Sequence, residues 1–293
     1  DNSWRERDRG HAQDVEYVAG DVRDYATVLE AVNDCDMVWH LAYINGTRFF
    51  YEKPNIVLDV AVKGTLNTIE AATKAGVQRY VLASSSEVYQ QPTHTPTSEE
   101  ERLIVPDVTN PRFSYGGGKI AAELMALHWA AHNGMETVIF RPHNFYGPNM
   151  GFEHVIPELV GKLVKASNGL RDNAARLALQ GDGSDTRAFC HVADGAEGSV
   201  IAGLKGNSGA IYHVGTEEEI SIATLATRIA GILNLNVELV PGDRASGATT
   251  RRCPSIAKLE DLGYQPQVTL DSGLAETVAW YADYYERHGV VQS

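Results

Sequence analysis

Cysteine is scarce in this chain, and nothing else that staples or clips a fold makes up for it. Three cysteines occur in 293 residues. They are Cys35, Cys190 and Cys253, far apart and without Cys-x-x-Cys spacing, which excludes a disulfide framework and a zinc ribbon. The ten histidines include one His-x-x-x-His pair, His128 and His132, and no His-x-His; two ligands alone do not make a metal site, so no metal is expected. No apolar run approaches the roughly 20 residues of a membrane-spanning helix. Positive charge is in deficit too: 25 Lys and Arg against 38 Asp and Glu leave a formal net charge of -13. That is the wrong sign for a nucleic-acid surface, which rests on clustered lysine and arginine. With 43% apolar and 22% charged residues the composition is that of an ordinary globular protein, and the reduced cysteines suit the cytoplasm.

Two stretches carry chemistry: Ser84-Ser85-Ser86-Glu87-Val88-Tyr89 and, farther on, Ser114-Tyr115-Gly116-Gly117-Gly118-Lys119. A free phenol, with a pKa near 10, is a poor base at neutral pH, but a nearby ammonium favours the phenolate. In a helix over 112–132, Tyr115 and Lys119 stand at i and i+4 on one face. Ser85 follows the apolar run Tyr80-Val81-Leu82-Ala83, which reads as a buried strand, and ligands of open α/β sheets bind beyond such carboxyl ends. Hydroxyl, phenol and ammonium together form a set for removing a proton from a secondary alcohol as its hydride leaves. In a chain with 13 tyrosines the Tyr-x-x-x-Lys spacing also arises by chance. The weight therefore rests on its context of strand, serines, loop, helix and strand. His191, within Phe189-Cys190-His191-Val192, reads as a strand residue rather than a catalyst.

Period and breaker signals organise the rest. The first half alternates strand and helix: a strand at Val15 to Val18, a helix from Tyr25 to Val32, and a buried strand from Met37 to Leu41. A long helix follows, opened by Pro54 and closed by Gly76, then the strand at Tyr80 to Ala83, a Pro/Thr-rich loop over 91–111, the Tyr115 helix and a strand from Thr137 to Arg141. Such repeats imply an α/β fold with a doubly wound parallel sheet. Past Gly147-Pro148 shorter strands appear, at Leu177 to Leu179, Ala188 to Val192, Ile211 to Val214 and Val237 to Val240. Asp182-Gly183 reads as a hairpin turn, and a last helix runs from about Ser272 to Glu286. The expected division is a domain over 1–150 and a smaller mixed domain over 151–293, with some segments interleaved.

These landmarks resemble the extended short-chain dehydrogenases/reductases that act on nucleotide sugars, the NAD-dependent epimerases, dehydratases and decarboxylases. In family order they are Gly20-Asp21-Val22-Arg23-Asp24, His40-Leu41-Ala42, Gly64-Thr65-Leu66-Asn67, the serine run, Tyr115/Lys119, Arg141-Pro142-His143-Asn144-Phe145-Tyr146-Gly147-Pro148, Arg187-Ala188-Phe189, and Arg252 with Pro254. The resemblance implies a Rossmann-type NAD-binding domain followed by a substrate domain. It implies that Tyr115 is the base at the sugar 4-hydroxyl, that Lys119 lowers the Tyr115 pKa and holds the nicotinamide ribose, and that Ser85 hydrogen-bonds the same sugar oxygen. Asp1, Asp21, Val22, Leu41, Ala42 and Pro142 join Tyr115 and Lys119 on the cofactor side. Ser86, Asn144, Arg187 and Arg252 fall to the nucleotide-diphosphate sugar, where guanidinium geometry suits phosphate oxygens. Many relatives pair as homodimers through the helices near 55–75 and 112–132.

The resemblance also narrows the reaction. A 4,6-dehydratase presents an Asp-Glu pair where this chain has Ser86-Glu87, so the acid that protonates the leaving hydroxyl is missing. Ser86-Glu87 with Arg252 is similar to the UDP-glucuronate decarboxylases, and the resemblance counts Glu87 among the catalytic residues with Ser85, Tyr115 and Lys119. A 4-epimerase needs only Ser85, Tyr115 and Lys119, and is ranked first. A non-catalytic scaffold of the same fold would gain nothing from keeping that trio. Ala61 replaces an asparagine common in relatives. Three helical glycines at 116–118 cost roughly 0.8 to 1.0 kcal/mol each relative to alanine, and close approach of substrate or cofactor is the expected compensation. The family's opening strand and Gly-x-x-Gly-x-x-Gly turn, which bind the NAD pyrophosphate, are not written here. The chain therefore reads as a fragment that lacks its first βα unit.

Overall fold

The computed structural model describes residues 15–243 and 249–290. In chain order the elements are α1 Tyr25–Ala31, β1 Met37–His40, α2 Thr47–Glu52, α3 Pro54–Asp59, α4 Thr65–Ala75, β2 Arg79–Ala83, α5 Ser114–Leu124, β3 Glu136–Pro142, β4 Phe145–Tyr146, α6 Val155–Ala166, β5 Ala174–Ala178, β6 Thr186–Ala188, β7 Cys190–His191, α7 Val192–Lys205, β8 Ala210–Val214, β9 Glu219–Ser221, α8 Ile222–Ile232, β10 Asn236–Val240, β11 Arg251–Arg252, α9 Ala257–Glu260 and α10 Leu270–His288. The chain divides into two compact units. One comprises residues up to Val88, Val105–Phe140 and Gly206–Ile211, and the other Tyr89–Ile104, Arg141–Lys205 and the rest from Tyr212.

The first unit is built on a sheet of order β1-β2-β3-β8. Its strands β1, β2 and β3 run parallel, with Trp39 opposite Val81 and Val81 opposite Val138. Parallel neighbours need a crossover, and α5 with its continuation provides the one between β2 and β3. Both faces of β2 are covered, so Tyr80, Val81 and Leu82 are all buried and the strand reads as a continuous apolar run rather than an alternation. Ile69, Ala72, Tyr80, Leu82, Ala122, Ala126 and Ile139 form the core on one side.

Pro54 occupies the first turn of α3, where its missing N–H leaves no bond unmade. Gly76 closes α4 in the left-handed conformation at φ +77°, as a glycine cap does. The long helix expected between them is not uniform. A π turn at Val60–Gly64 joins α3 to α4, and a second π segment, Met125–Ala130, continues α5. Such turns insert an extra residue and re-aim the side chains after it. The expected strand at Val15 to Val18 is not formed. Among the described residues no strand lies beside it, and Val15, Tyr17 and Val18 are about half exposed.

The second unit packs α6, α8 and α10 around a core of Ile156, Leu163, Leu225, Ile229, Leu274 and Tyr281. Its strands form three small sheets, β5 with β10, β11-β6-β9, and β4 with β7. Asp182-Gly183 does not close a hairpin, because β5 and β6 have different partners. Instead the Asp182 carboxylate accepts from the Ser184 amide at 3.0 Å and its hydroxyl at 2.6 Å, an Asx turn. The expected strand at Ala188 to Val192 is two strands in separate sheets, with Val192 already in α7. His191 does lie in a strand. Among the described residues no helix is long and apolar enough to cross a membrane.

Candidate active site

Strand β2 ends at Ala83 and delivers three buried serines at its carboxyl end. The Ser84 amide still bonds the Phe140 carbonyl of β3 at 2.8 Å, so the chain leaves the sheet only at Ser85. A 3-10 turn over Ser86–Val88 follows, and the Ser85 hydroxyl accepts from the Glu87 amide at 3.2 Å. This local bond fixes the direction of Ser85 before anything else touches it.

Helix α5 lies against that strand end and brings Tyr115, Lys119 and Glu123 to it at i, i+4 and i+8. Tyr115, Lys119 and Glu123 are all buried. The Lys119 ammonium donates to the Ala83 carbonyl at 2.6 Å, and the Ser84 hydroxyl donates to the Glu123 carboxylate. Two side chains of one helix therefore grip two successive residues of the strand, and the next residue, Ser85, hydrogen-bonds the Tyr115 phenol. The structure thus brings Ser85, Tyr115 and Lys119 together, with Glu87 close enough for its charge to act on the phenol. Ser86 is buried beside them.

Electrostatically the resting site is not yet a base. Burial pushes the Tyr115 phenol up to about 12, the Ser85 hydrogen bond pulls it down, and the Glu87 carboxylate adds to the rise. The depression expected from Lys119 does not prevail. The ammonium sits 5.9 Å from the Tyr115 ring centroid, and burial lowers its own pKa to about 7 against the opposing pull of Glu123. Two desolvated groups each resist ionisation, so neither gains much from the other until more charge arrives.

Aromatic rings frame the phenol. Phe50 of α2 stacks on Tyr115 at 4.8 Å and 26°, and Tyr43 meets it edge-on at 5.0 Å and 79°. The glycines between tyrosine and lysine do lie inside α5. The close approach that Gly118 permits comes from the protein's own Tyr43 and Ala61 rather than from a ligand: a Cβ there would lie 2.3 Å from the Tyr43 hydroxyl and 2.7 Å from the Ala61 Cβ.

The residues assigned to the cofactor side fall at strand ends or beside them. Leu41 follows β1 with 58% of its surface exposed, and Ala42 is half-buried next to it. The Asp21 carboxylate is held by Arg23 and lies at a pKa of about 2 for that reason. The Val22 carbonyl accepts from Asn67 at 3.0 Å. Pro142 ends β3. Asp1 lies outside the described residues.

In the second unit, Arg187 and Arg252 are register partners on β6 and β11. Like charges directly opposite in a sheet repel, and both guanidinium groups converge on Thr249. Arg187 donates to its carbonyl at 2.7 Å and Arg252 to its hydroxyl at 3.0 Å. The Asn144 amide donates to the Ala188 carbonyl at 2.9 Å, one residue beyond Arg187. The three residues assigned to the diphosphate thus gather around β6.

Sequence reasoning passed over Glu123, although Tyr-x-x-x-Lys-x-x-x-Glu places it on the same helical face. It also passed over Tyr43 and Phe50, whose roles depend on a loop and a short helix that no periodicity announces.

The chain is similar to several known enzymes. The chain is 28% identical to a UDP-N-acetyl-alpha-D-glucosaminuronate decarboxylase of Bacillus cytotoxicus, over 97% of the chain and 89% of that protein. A dTDP-glucose 4,6-dehydratase structure from Streptomyces venezuelae, with NAD bound, is 28% identical and matches with a TM-score of 0.78, covering 91% of this chain and 79% of that one. An epimerase structure from Methanothermobacter thermautotrophicus is 27% identical with a TM-score of 0.81, covering 95% and 81%. The sequence model of one enzyme family spans residues 1–215, which contain the serine run, Tyr115 and Lys119, and the chain belongs to that family, the NAD-dependent epimerases/dehydratases.

Proposed function

We propose that the protein acts on a nucleotide-diphosphate sugar by transient oxidation at C4, and that its reaction is a 4-epimerisation. The observation that carries this reading is the convergence of Ser85, Tyr115 and Lys119 at the end of β2. Leu41 and Ala42 add apolar surface at the neighbouring strand end, a setting that suits a dinucleotide laid across it. Bound NAD would supply a reversible hydride acceptor for C4, without net consumption. Tyr115 takes the hydroxyl proton at its phenol oxygen, Ser85 holds the same sugar oxygen, and Lys119 keeps positive charge beside both. Arg187, Arg252 and Asn144 bind the diphosphate. Ser86 replaces the acid that a 4,6-dehydration needs, whereas inversion at C4 requires only that the keto ring turn over before hydride and proton return.

Decarboxylation is the second reading. It is supported by the decarboxylase relative and by the Arg187/Arg252 pair, which could also receive a carboxylate. The protein acts in the cytoplasm as a homodimer through α3, α4 and α5. Leu58, Val62, Leu124 and Trp129 are exposed there, more apolar surface than a lone helix pair keeps in water.

The test is incubation of the full chain and NAD with UDP-glucose, UDP-glucuronate and dTDP-glucose, with products read by NMR. The C4 epimer is expected, without loss of carbon dioxide. Tyr115→Phe should lower kcat by at least about 100-fold, the lower range of general acid–base contributions. Unchanged activity in Tyr115→Phe overturns the mechanism, and carbon dioxide release from UDP-glucuronate establishes the second reading.

A further inference from the structure

We propose that Tyr43 is a positioning residue that holds the Lys119 ammonium beside Tyr115, in a seat that Gly118 and Ala61 leave open. The proposal rests on the reading of Tyr115 and Lys119 as the proton-transfer pair. Tyr43 belongs to neither motif, yet its ring lies nearer the ammonium than the ring of Tyr115 does. The Lys119 Nζ is 3.8 Å from the Tyr43 ring centroid, against 5.9 Å from that of Tyr115. A cation within about 6 Å of an aromatic face is attracted by the ring quadrupole, and more strongly when both are desolvated. Lys119 is 3% exposed, so water contributes little to holding its charge.

The ring is itself held on several sides. Its edge meets the Tyr115 ring at 5.0 Å, and its hydroxyl reaches the Tyr115 carbonyl at 3.4 Å. A Cβ at position 118 would lie within 2.7 Å of the Ala61 Cβ as well as against the Tyr43 hydroxyl. Real Cβ contacts do not come that close, so a side chain at 118 is incompatible with the ring where it stands. A glycine in a helix interior costs stability relative to alanine, and admission of Tyr43 is what Gly118 gives in return.

The chemical logic concerns net charge. Glu123, one turn along α5, already acts on Lys119, and His40 feels its charge; a carboxylate placed directly against the ammonium would hold it but cancel its field at the phenol. A ring face holds the cation and carries no net charge, so the positive field at Tyr115 survives. The neutral tendency that burial gives Lys119 is opposed without silencing the group.

The experiment compares Tyr43→Phe, which keeps the ring face, with Tyr43→Leu and Tyr43→Met, which fill the space without one. Each is made in the full chain and checked for folding by near-UV circular dichroism. Two readouts are taken: the pH dependence of kcat, and the titration midpoint of Lys119 followed by carbon NMR at its Cε. Tyr43→Phe is expected to keep both. Tyr43→Leu and Tyr43→Met are expected to move the Lys119 midpoint and the alkaline limb of kcat to lower pH by about one unit, a tenfold change in the protonation equilibrium, with KM changed less than kcat. A folded leucine or methionine variant whose Lys119 midpoint and alkaline limb stay in place overturns the proposal. So does a tyrosine-to-phenylalanine change that shifts them as far, since that assigns the effect to the hydroxyl. If neither aliphatic variant folds, Tyr43→Phe and the native chain are compared with Gly118→Ala, which displaces the ring, and an unmoved Lys119 midpoint there also overturns it. An active Tyr115→Phe would sink the parent reading of the site, while an inactive one beside an unshifted Tyr43→Leu sinks this proposal alone.

Discussion

Glu123 sits one helical turn beyond Lys119, on the same face of α5, with its carboxylate bonded to Ser84. Its charge raises the pKa of Lys119, which burial has brought to about 7. At that value the ammonium is present below neutral pH and lost above it, so chemistry that needs the cation declines on the alkaline side. Glu123→Gln removes the carboxylate's field and keeps a hydrogen-bonding side chain for Ser84. The alkaline limb of kcat should therefore move to lower pH, while the acid limb stays where it is; a profile that does not move shows that Glu123 serves the strand end alone. Much of this site is legible in the sequence. The strand-end serines and the Tyr115/Lys119 spacing follow from helix and strand geometry, and Glu123 continues the same spacing. Tyr43 is not legible there. It reaches the site from the loop after β1, and the only trace it leaves elsewhere is two small residues, Ala61 and Gly118, whose smallness has no meaning until the ring between them is placed.

The elements divide in the same way. Strand β2 and strand β3 announce themselves as apolar runs between breakers, and Pro54 and Gly76 mark the ends of the long helical stretch through a fixed φ and a left-handed cap. The π turns inside that stretch and after α5 go unannounced, because one extra residue in a turn changes the phase of a helix without changing its composition. Their effect is concrete: Ala61, in the first of them, is the residue that abuts Gly118. At Val15 to Val18 the expectation rested on propensity, which is context-dependent and does not by itself make a strand. Helix α5 and the segment after it also carry the proposed dimer interface. Leu124 and Trp129 are 54% and 46% exposed, and the double substitution Leu124→Glu with Trp129→Glu should turn a dimer into a monomer in sedimentation velocity. Surface changes of this kind usually alter stability by no more than about 0.5 kcal/mol, so the monomer should melt cooperatively. A dimer that persists places the interface elsewhere.

At the scale of the whole molecule, three buried histidines are neutral in the folded chain. Burial brings His40 and His213 to about 3 and His143 well below its ordinary value. Among the described residues the two ring nitrogens of His143 have no hydrogen-bond partner, and His143 and His213 stack edge to face at 4.5 Å. Between an unfolded pKa of 6.5 and a folded value near 3, the unfolded chain binds protons that the folded chain refuses, so stability falls as pH drops through that window. Asp21 acts only below its ordinary 3.8 and is exposed, so the histidines dominate above about pH 5. The urea midpoint should fall steadily from about pH 6.5 to 4, with net proton uptake on unfolding; a flat profile over that range contradicts the burial of these rings. The seat of Tyr43 has a different kind of consequence, one for descent. Position 118 is closed to any side chain by two neighbours at once, the Tyr43 hydroxyl and the Ala61 Cβ. A side chain at 118 therefore requires both the ring and the helix segment bearing Ala61 to give way, so a change at 43 is necessary for that step and not sufficient.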